Sequence, residues 1–112
     1  MALDEKVYSK KAALVLSNLL DQIDEQDPDE VEGFMSQGVL KLTFFNQPGD
    51  VCVINSHLAA REIWKAYDAR AWHFGWDEAR GEWRDTKTDE ELCEVIGATL
   101  SRRLGKEISV KI

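Results

Sequence analysis

The stretch AWHFGW, residues 71–76, alternates large aromatic side chains with smaller or polar ones. Successive side chains of a β-strand point to opposite faces, so Trp72, Phe74 and Trp76 share one face. Alternation of this kind is typical of a sheet that packs one face on a core and leaves the other open. The stretch therefore predicts a sheet that helices cover on one face only.

Further short strand-like segments lie on both sides of this stretch, separated by turn residues. Strands are predicted over Val39–Phe45, Val51–Asn55, Arg61–Tyr67 and Ala71–Trp76, around Trp83, and over Glu107–Ile112. Residues 47–50, QPGD, have the composition of a turn.

Two segments have the 3.6-residue period of an amphipathic helix. The first runs from about Asp4 to Gln26, and Pro28 prevents its continuation. The second begins at Thr88, in a capping-box pattern, and ends at Gly105. The apolar faces comprise Tyr8, Ala12, Val15, Leu16, Leu19 and Ile23 in the first helix, and Leu92, Val95, Ile96, Thr99, Leu100 and Leu104 in the second. The order helix, about six strands, helix, strand predicts one α+β domain over residues 1–112, a two-layer sandwich with both helices on one face of a mainly antiparallel sheet.

The period of two also predicts which residues lie on the open face. If Ile54, Ile63 and Phe74 line the core, then the neighbouring residues in the same strands share the outer face: Asn55, Trp64 and His73. An exposed tryptophan on an open sheet face indicates a protein-binding surface. Pattern alone leaves the alternative open that Trp64 is a core residue and Ile63 points outward.

Residues 21–32, DQIDEQDPDEVE, contain seven acids and no base. The acids are Asp21, Asp24, Glu25, Asp27, Asp29, Glu30 and Glu32. The chain has 21 acids and 14 lysines and arginines, so these seven account for the net charge of −7 and leave the rest neutral. Acids at the C-terminal end of a helix oppose its macrodipole, and like charges three or four residues apart repel each other. An arrangement that works against stability is a candidate functional site.

A metal bound by this acidic run would have only carboxylate oxygens as protein ligands. Such ligands suit hard ions such as Mg, Ca, Mn and iron, rather than zinc or copper. An EF-hand is excluded, because Pro28 interrupts the pattern and Val31 occupies a ligand position. Nothing in the sequence supplies an enclosed cage, so binding is expected to be weak, multiple and open to solvent. The alternative is a solvated acidic face without a function.

Charge and composition restrict the partners and the compartment. A net charge of −7 argues against nucleic acid and anionic lipid, and favours a basic protein surface or a cation. No apolar run approaches 18 residues, and the N-terminus lacks the apolar segment of a signal peptide, so no membrane association is expected. Cys52 and Cys93 have no CxxC spacing and are interpreted as reduced thiols facing the core of a cytosolic protein.

The sequence lacks the signatures of the common enzyme classes, including GxSxG, the P-loop, GxGxxG and HExxH. His57 and His73 are interpreted as surface or structural residues, since no serine or cysteine nucleophile has a recognisable context. The protein is therefore expected to act by binding, with no catalytic residue assigned.

Several short pieces of the chain resemble the frataxin family, and most closely its bacterial, CyaY-type branch. They are LDQID (residues 20–24), GVLKLTF (38–44), VIN (53–55), IW (63–64), HFGW (73–76), WRD (83–85) and GKEI (105–108). Each piece is short, and the specific signal is their order and spacing over nearly the whole chain. The chain departs from the family pattern at residues 56–60, SHLAA, and at residues 68–70, DAR, where relatives have a proline-containing segment and a glycine-rich turn. It also has Ser17 and Asn18 where some relatives place acids.

The resemblance implies an accessory or regulatory role in iron–sulfur cluster assembly. The acidic run would bind Fe(II) or Fe(III) weakly and dock on a cysteine desulfurase, and the sheet surface near Asn55 and Trp64 would meet the cluster scaffold protein. The expected state is a cytoplasmic monomer, with oligomerisation on iron left open. Two other functions stay open: a ferroxidase that stores iron, and an acidic adaptor that binds a basic partner without metal.

Overall fold

The computed structural model describes residues 3–112, which form two helices and one six-stranded sheet. In chain order these are α1 (Glu5–Asp24), β1 (Val31–Ser36), β2 (Val39–Phe44), β3 (Asp50–His57), β4 (Glu62–Tyr67), β5 (Arg70–Asp77), β6 (Glu82–Asp85) and α2 (Leu92–Leu104). Each strand pairs with the next in antiparallel register, so β1 and β6 are the two edges of the sheet. The two-layer α+β architecture predicted from the sequence is confirmed.

The core lies between one face of the sheet and the apolar faces of both helices. The six residues predicted for the inner face of α1 are all buried, whereas Leu104 of α2 is only half-buried. On the sheet side the core contains Leu40, Leu42, Phe44, Cys52, Ile54, Ile63, Tyr67, Trp72, Phe74 and Trp83. The second face of the sheet has no covering layer within residues 3–112. No helix in that range is long and apolar enough to cross a membrane.

The sequence analysis missed β1, because VEGFMS has one β-branched residue and a glycine in its interior. Gly33 has a packing role at this position. A Cβ atom there would lie 2.8 Å from Leu20 Cδ1 and 3.2 Å from Ile23 Cγ2. The missing side chain lets the C-terminal half of α1 approach the edge strand closely.

The second helix begins at Leu92, four residues later than predicted. Its N-cap is Glu91, whose carboxylate accepts hydrogen bonds from the backbone N–H groups of Cys93 and Glu94. Thr88 instead belongs to the preceding turn, where its backbone N–H and its hydroxyl both donate to Asp85 Oδ2. The helix start predicted from the capping-box pattern was therefore wrong, because Thr88 hydrogen-bonds Asp85 and does not cap the helix.

The predicted closing strand, Glu107–Ile112, is not part of the sheet. This segment lies against the two helices: Ser101 Oγ accepts the Ile108 N–H at 2.8 Å, and the amide of Gln22 bonds both backbone groups of Lys111. Val110 is buried in the core. The apolar alternation of the segment thus reflects packing on helices and not strand pairing.

Candidate functional surfaces

The seven acids of residues 21–32 lie along the end of α1, the following turn and the start of β1. We call this surface the acidic ridge: Asp21, Asp24, Glu25, Asp27, Asp29, Glu30 and Glu32. Six of the seven side chains are exposed, and Glu30 is half-buried. None of them pairs with a lysine or arginine of residues 3–112. The ridge therefore presents carboxylates that are not neutralised within the described chain.

The helical part of the ridge lies at the C-terminal end of α1, as predicted. Glu25 is the C-cap residue, and the last turn contains no basic residue. Carboxylates at this end lie at the negative pole of the helix dipole, where a positive charge would be preferred. A bound cation or a basic partner would relieve this repulsion.

The remaining acids are held by the turn between α1 and β1. Asp27 Oδ1 accepts the backbone N–H of Asp29 at 2.9 Å, and the Asp27 carbonyl accepts the N–H groups of Glu30 and Val31. This turn joins the helix to the edge strand, where Glu32 is exposed. Asp27 thus has a structural role in addition to its charge.

Within residues 3–112, no three acidic, histidine or cysteine side chains are arranged to hold a metal ion together. The ridge residues are therefore not an enclosed metal cage. They can offer one or two carboxylate oxygens to a cation that keeps most of its water, which suits a hard ion bound weakly. They can equally face a basic protein surface.

The open face of the sheet brings together the three residues predicted for it. Asn55, Trp64 and His73 lie side by side in one cross-strand row, since Asn55 pairs with Trp64 and Trp64 pairs with His73. Their inner-face neighbours Ile54 and Ile63 are fully buried. The alternative with Trp64 in the core is therefore wrong, while its role in partner binding stays a prediction.

Trp64 is stacked between two histidines. The ring centroids of His57 and Trp64 are 3.8 Å apart with an interplanar angle of 11°, and those of Trp64 and His73 are 4.2 Å apart at 13°. The indole N–H of Trp64 donates to Glu62 Oε1 at 2.8 Å. Sequence reasoning missed His57, although it lies two residues after Asn55 and so shares its face.

Two buried side chains, Tyr8 and Asp85, hydrogen-bond the backbone of the strands that carry the stacked rings. The Tyr8 hydroxyl donates to the Glu62 carbonyl at 2.6 Å and accepts the His57 N–H at 2.8 Å, and burial raises the pKa of Tyr8. Asp85 Oδ1 accepts the His73 N–H at 2.8 Å. Burial raises the pKa of Asp85, but hydrogen bonds from Thr88, His73 and Lys87 outweigh it and leave that pKa below its usual value.

Trp76 differs from its two predicted companions. Trp72 and Phe74 are buried as expected, but Trp76 is only half-buried. It packs edge-on against Trp83 at 5.4 Å, and Lys11 Nζ lies 4.2 Å from the centroid of its ring. Trp76 lies at the edge of the core, where the side chain of Lys11 covers its ring.

Both cysteines are free thiols. Cys52 is buried, as predicted, and burial raises its pKa to about 11. Cys93 is half-buried, and burial together with Glu91 raises its pKa to about 12. Both thiols are therefore protonated at neutral pH, which makes them poor nucleophiles.

The family of the chain follows from a family model described as a frataxin-like domain, which matches residues 1–106. The chain belongs to the frataxin-like family. Two relatives are each named iron-sulfur cluster assembly protein CyaY. The one from Dechloromonas aromatica is 29% identical over 109 residues, covering 97% of this chain and 100% of the relative. The one from Thioalkalivibrio sulfidiphilus is 31% identical over 102 residues, covering 90% and 94%.

Comparison with solved structures supports the frataxin-like fold. The structure of frataxin from Psychromonas ingrahamii superposes with a TM-score of 0.84 at 16% sequence identity, covering 98% of this chain and 100% of that one. The fold is therefore shared at low sequence identity.

Proposed function

We propose that this protein is an accessory, regulatory component of iron–sulfur cluster assembly that acts by binding. The observation that carries the proposal is the match, over nearly the full length of both chains, to relatives named for that process. Proteins of one fold can differ in function, so the two surfaces described above supply the second argument. The proposed compartment is the cytoplasm.

The acidic ridge is proposed to bind Fe(II) or Fe(III) as cargo. Iron is a hard cation that prefers carboxylate oxygen, and the ridge has seven such groups that no base of residues 3–112 neutralises. Because no three donors converge within residues 3–112, the affinity is weak and several ions bind in exchange with solvent.

The same ridge is proposed to dock on a basic patch of the cysteine desulfurase. A surface of one sign steers and orients a partner of the opposite sign, and this contribution falls with added salt. The outer-face row of Asn55, Trp64 and His73 is proposed to meet the scaffold protein. Trp64, with His57 and His73 stacked on it, supplies the aromatic part of this surface, and aromatic side chains often dominate such contacts.

The direct test is a pull-down with the desulfurase–scaffold complex, with iron and with chelator. The ridge variant combines Asp21→Asn, Asp24→Asn and Glu25→Gln. The control removes three exposed acids elsewhere: Asp68→Asn, Glu94→Gln and Glu107→Gln. We expect the ridge variant to lose binding and the control to retain it. Equal binding by both variants would contradict docking through the ridge.

Iron binding is tested separately by NMR. Fe(II) added to the metal-free protein should broaden the amide resonances of residues 21–32 first, because the carboxylates are concentrated there. Uniform broadening across the chain, or the strongest effect at His57 and His73, would contradict iron binding at the ridge. Docking that is insensitive to chelator would instead identify a metal-independent adaptor. Oxygen consumption on Fe(II) addition would identify a ferroxidase.

A further inference from the structure

The stack on the open face covers both faces of the indole of Trp64. His57 lies against one face and His73 against the other, each nearly parallel to the indole and within van der Waals distance. The indole N–H is already bonded to Glu62. A partner therefore cannot stack on Trp64 in this arrangement. At Trp64 it meets only the edge of the ring, next to the edges of the two histidines.

His57 is fixed independently of Trp64. Its backbone N–H donates to the buried Tyr8 hydroxyl, and its Nδ1 accepts the N–H of Ala60 at 3.3 Å, in the turn that follows β3. The second bond sets the orientation of the imidazole plane. His73 is anchored in turn through Asp85, which accepts its backbone N–H. The His57 ring is thus held by a side-chain hydrogen bond, whereas the His73 ring is held by its anchored backbone and by stacking on Trp64.

We propose that His57 is a positioning residue for partner recognition: with His73 it clamps the Trp64 indole upright, so that the partner binds a preformed three-ring edge. The inference rests on the proposed function, in which Trp64 contacts the scaffold. The physical reason is conformational entropy. An unclamped tryptophan on an open sheet face samples several rotamers and has to be ordered on binding, whereas a clamped one has already been ordered by folding.

The partner chemistry follows from what the stack exposes. Aromatic rings are positively polarised at their edges and negatively polarised on their faces. With the indole faces covered and His57 Nδ1 bonded to Ala60, the stack offers mainly the C–H edges of its rings. The complementary surface on the scaffold would carry carbonyl or carboxylate oxygens at that point, rather than an aromatic ring or a cation seeking a ring face.

The test compares His57→Ala with His57→Phe. Alanine removes the clamp, and phenylalanine keeps a flat ring while removing both nitrogens. We expect His57→Ala to weaken binding to the desulfurase–scaffold complex by about two- to tenfold, the range set by one aromatic pair. His57→Phe should restore most of the binding, because a flat ring still stacks on the indole without the bond to Ala60. Leu58→Ala changes an exposed apolar residue next to the stack and should bind as the unmodified protein does.

A spectroscopic readout separates positioning from direct contact. The indole N–H resonance of Trp64, identified by its loss in Trp64→Ala, should move in His57→Ala without any partner and stay close to its original place in His57→Phe. Tight binding by His57→Ala together with weak binding by Trp64→Ala would overturn the clamp and leave the proposed function intact. Tight binding by Trp64→Ala would overturn the proposed scaffold contact itself. Weak binding by His57→Phe with an unmoved resonance would make His57 a contact residue and overturn its positioning role.

Discussion

The Nζ atom of Lys65 lies 3.7 Å from the centroid of the Trp72 ring, inside the core. Lys65 is 1% exposed, and its ammonium has no hydrogen-bond partner or ion pair within residues 3–112. The Tyr67 ring is the second aromatic neighbour, at 5.4 Å. Burial lowers the pKa of Lys65 to about 8. The core thus holds a cation that contacts aromatic faces and has no hydrogen-bonded anion within residues 3–112.

Replacing Lys65 by methionine should stabilise the protein. Methionine has similar length and flexibility, and it removes the cost of burying an ammonium without an anion, which exceeds what cation–π contacts return. We expect the free energy of unfolding at pH 7 to rise by on the order of 2 kcal/mol, measured by urea denaturation. Lys41→Met, at an exposed position of β2, is the control and should change little. A decrease in Lys65→Met would mean that the ring contacts outweigh the burial cost.

The same pair of proteins gives a pH dependence with a defined sign. The pKa of Lys65 is lowered to about 8 in the folded protein, against an ordinary value of 10.5. Below pH 8 the Lys65 amine is protonated in both the folded and the unfolded protein, so the full cost of burying the ammonium applies. Between these two values the unfolded state binds more protons, so stability rises with pH. The advantage of Lys65→Met over the unmodified protein should therefore shrink from pH 7 to pH 10. An advantage that stays constant would show that the lysine is not the titrating group.

The sequence predicted the fold where local pattern and tertiary packing agree, as in residues 71–76. The prediction failed where another side chain hydrogen-bonds the residues on which the predicted pattern depended. Thr88 looks like a helix cap until Asp85 is in place to bond it. The alternation of residues 107–112 looks like a strand, but Gln22 and Ser101 take its backbone bonds. The Gln22–Lys111 bonds join residues far apart in the chain, so no local pattern contains them. The Asp85–Thr88 bond is local, but it competes with the capping-box pattern for the same threonine.

The candidate surfaces were predictable to different degrees. The acidic ridge is contiguous in sequence, so its composition and position could be derived directly. The outer row of Asn55, Trp64 and His73 followed from the period of two once the inward face was chosen. The stacking of His57 on Trp64 could not be derived, because it depends on the side-chain angles of residues on different strands.

Neutralising the helical acids of the ridge should stabilise the fold. Asp21→Asn, Asp24→Asn and Glu25→Gln each remove a negative charge from the carbonyl end of α1 and from its like-charged neighbours. We expect a gain of roughly 0.3–1 kcal/mol for each in thermal or urea unfolding. Added salt should reduce the difference by screening. Glu5→Gln, in the first turn of α1, is the matched control and should lose stability. Losses in the three ridge variants would reveal stabilising contacts of these acids.

Ala69→Gly should stabilise the hairpin between β4 and β5. Asp68 and Ala69 form its two-residue loop, with φ values of +51° and +62°. An alanine in the left-handed region is strained, whereas glycine adopts it freely. After allowing for the greater freedom of glycine in the unfolded chain, we expect a gain of about 0.5 kcal/mol. Ala79→Gly, in the next hairpin turn but outside the left-handed region, should lose stability. Equal effects at both positions would rule out strain as the cause.

Trp64→Ala should cost much less stability than Phe74→Ala, despite the larger side chain removed. Phe74 is fully buried, so its loss leaves a cavity and costs about 3–5 kcal/mol. Trp64 lies on the open face and loses chiefly its two stacked ring contacts, about 1–2 kcal/mol in all. Trp76→Ala should fall between them, because that ring is half-buried. Chemical denaturation at one pH orders the three variants. A Trp64→Ala protein as unstable as Phe74→Ala would show that the stack supports the core.

Gln22→Ala should release the C-terminal segment from the helices. The Gln22 side chain acts as a substitute for a neighbouring strand: its Nε2 donates to the Lys111 carbonyl at 2.6 Å, and its Oε1 accepts the Lys111 N–H at 2.9 Å. Two exposed hydrogen bonds contribute roughly 1–2 kcal/mol together. We therefore expect faster amide exchange at Lys111 in Gln22→Ala. We also expect its free energy of unfolding to fall by roughly 1–2 kcal/mol. Gln26→Ala is the control, since no side-chain hydrogen bond of Gln26 occurs within residues 3–112. If Lys111 keeps its protection in Gln22→Ala, the burial of Val110 and the Ser101–Ile108 bonds are enough to hold the segment in place.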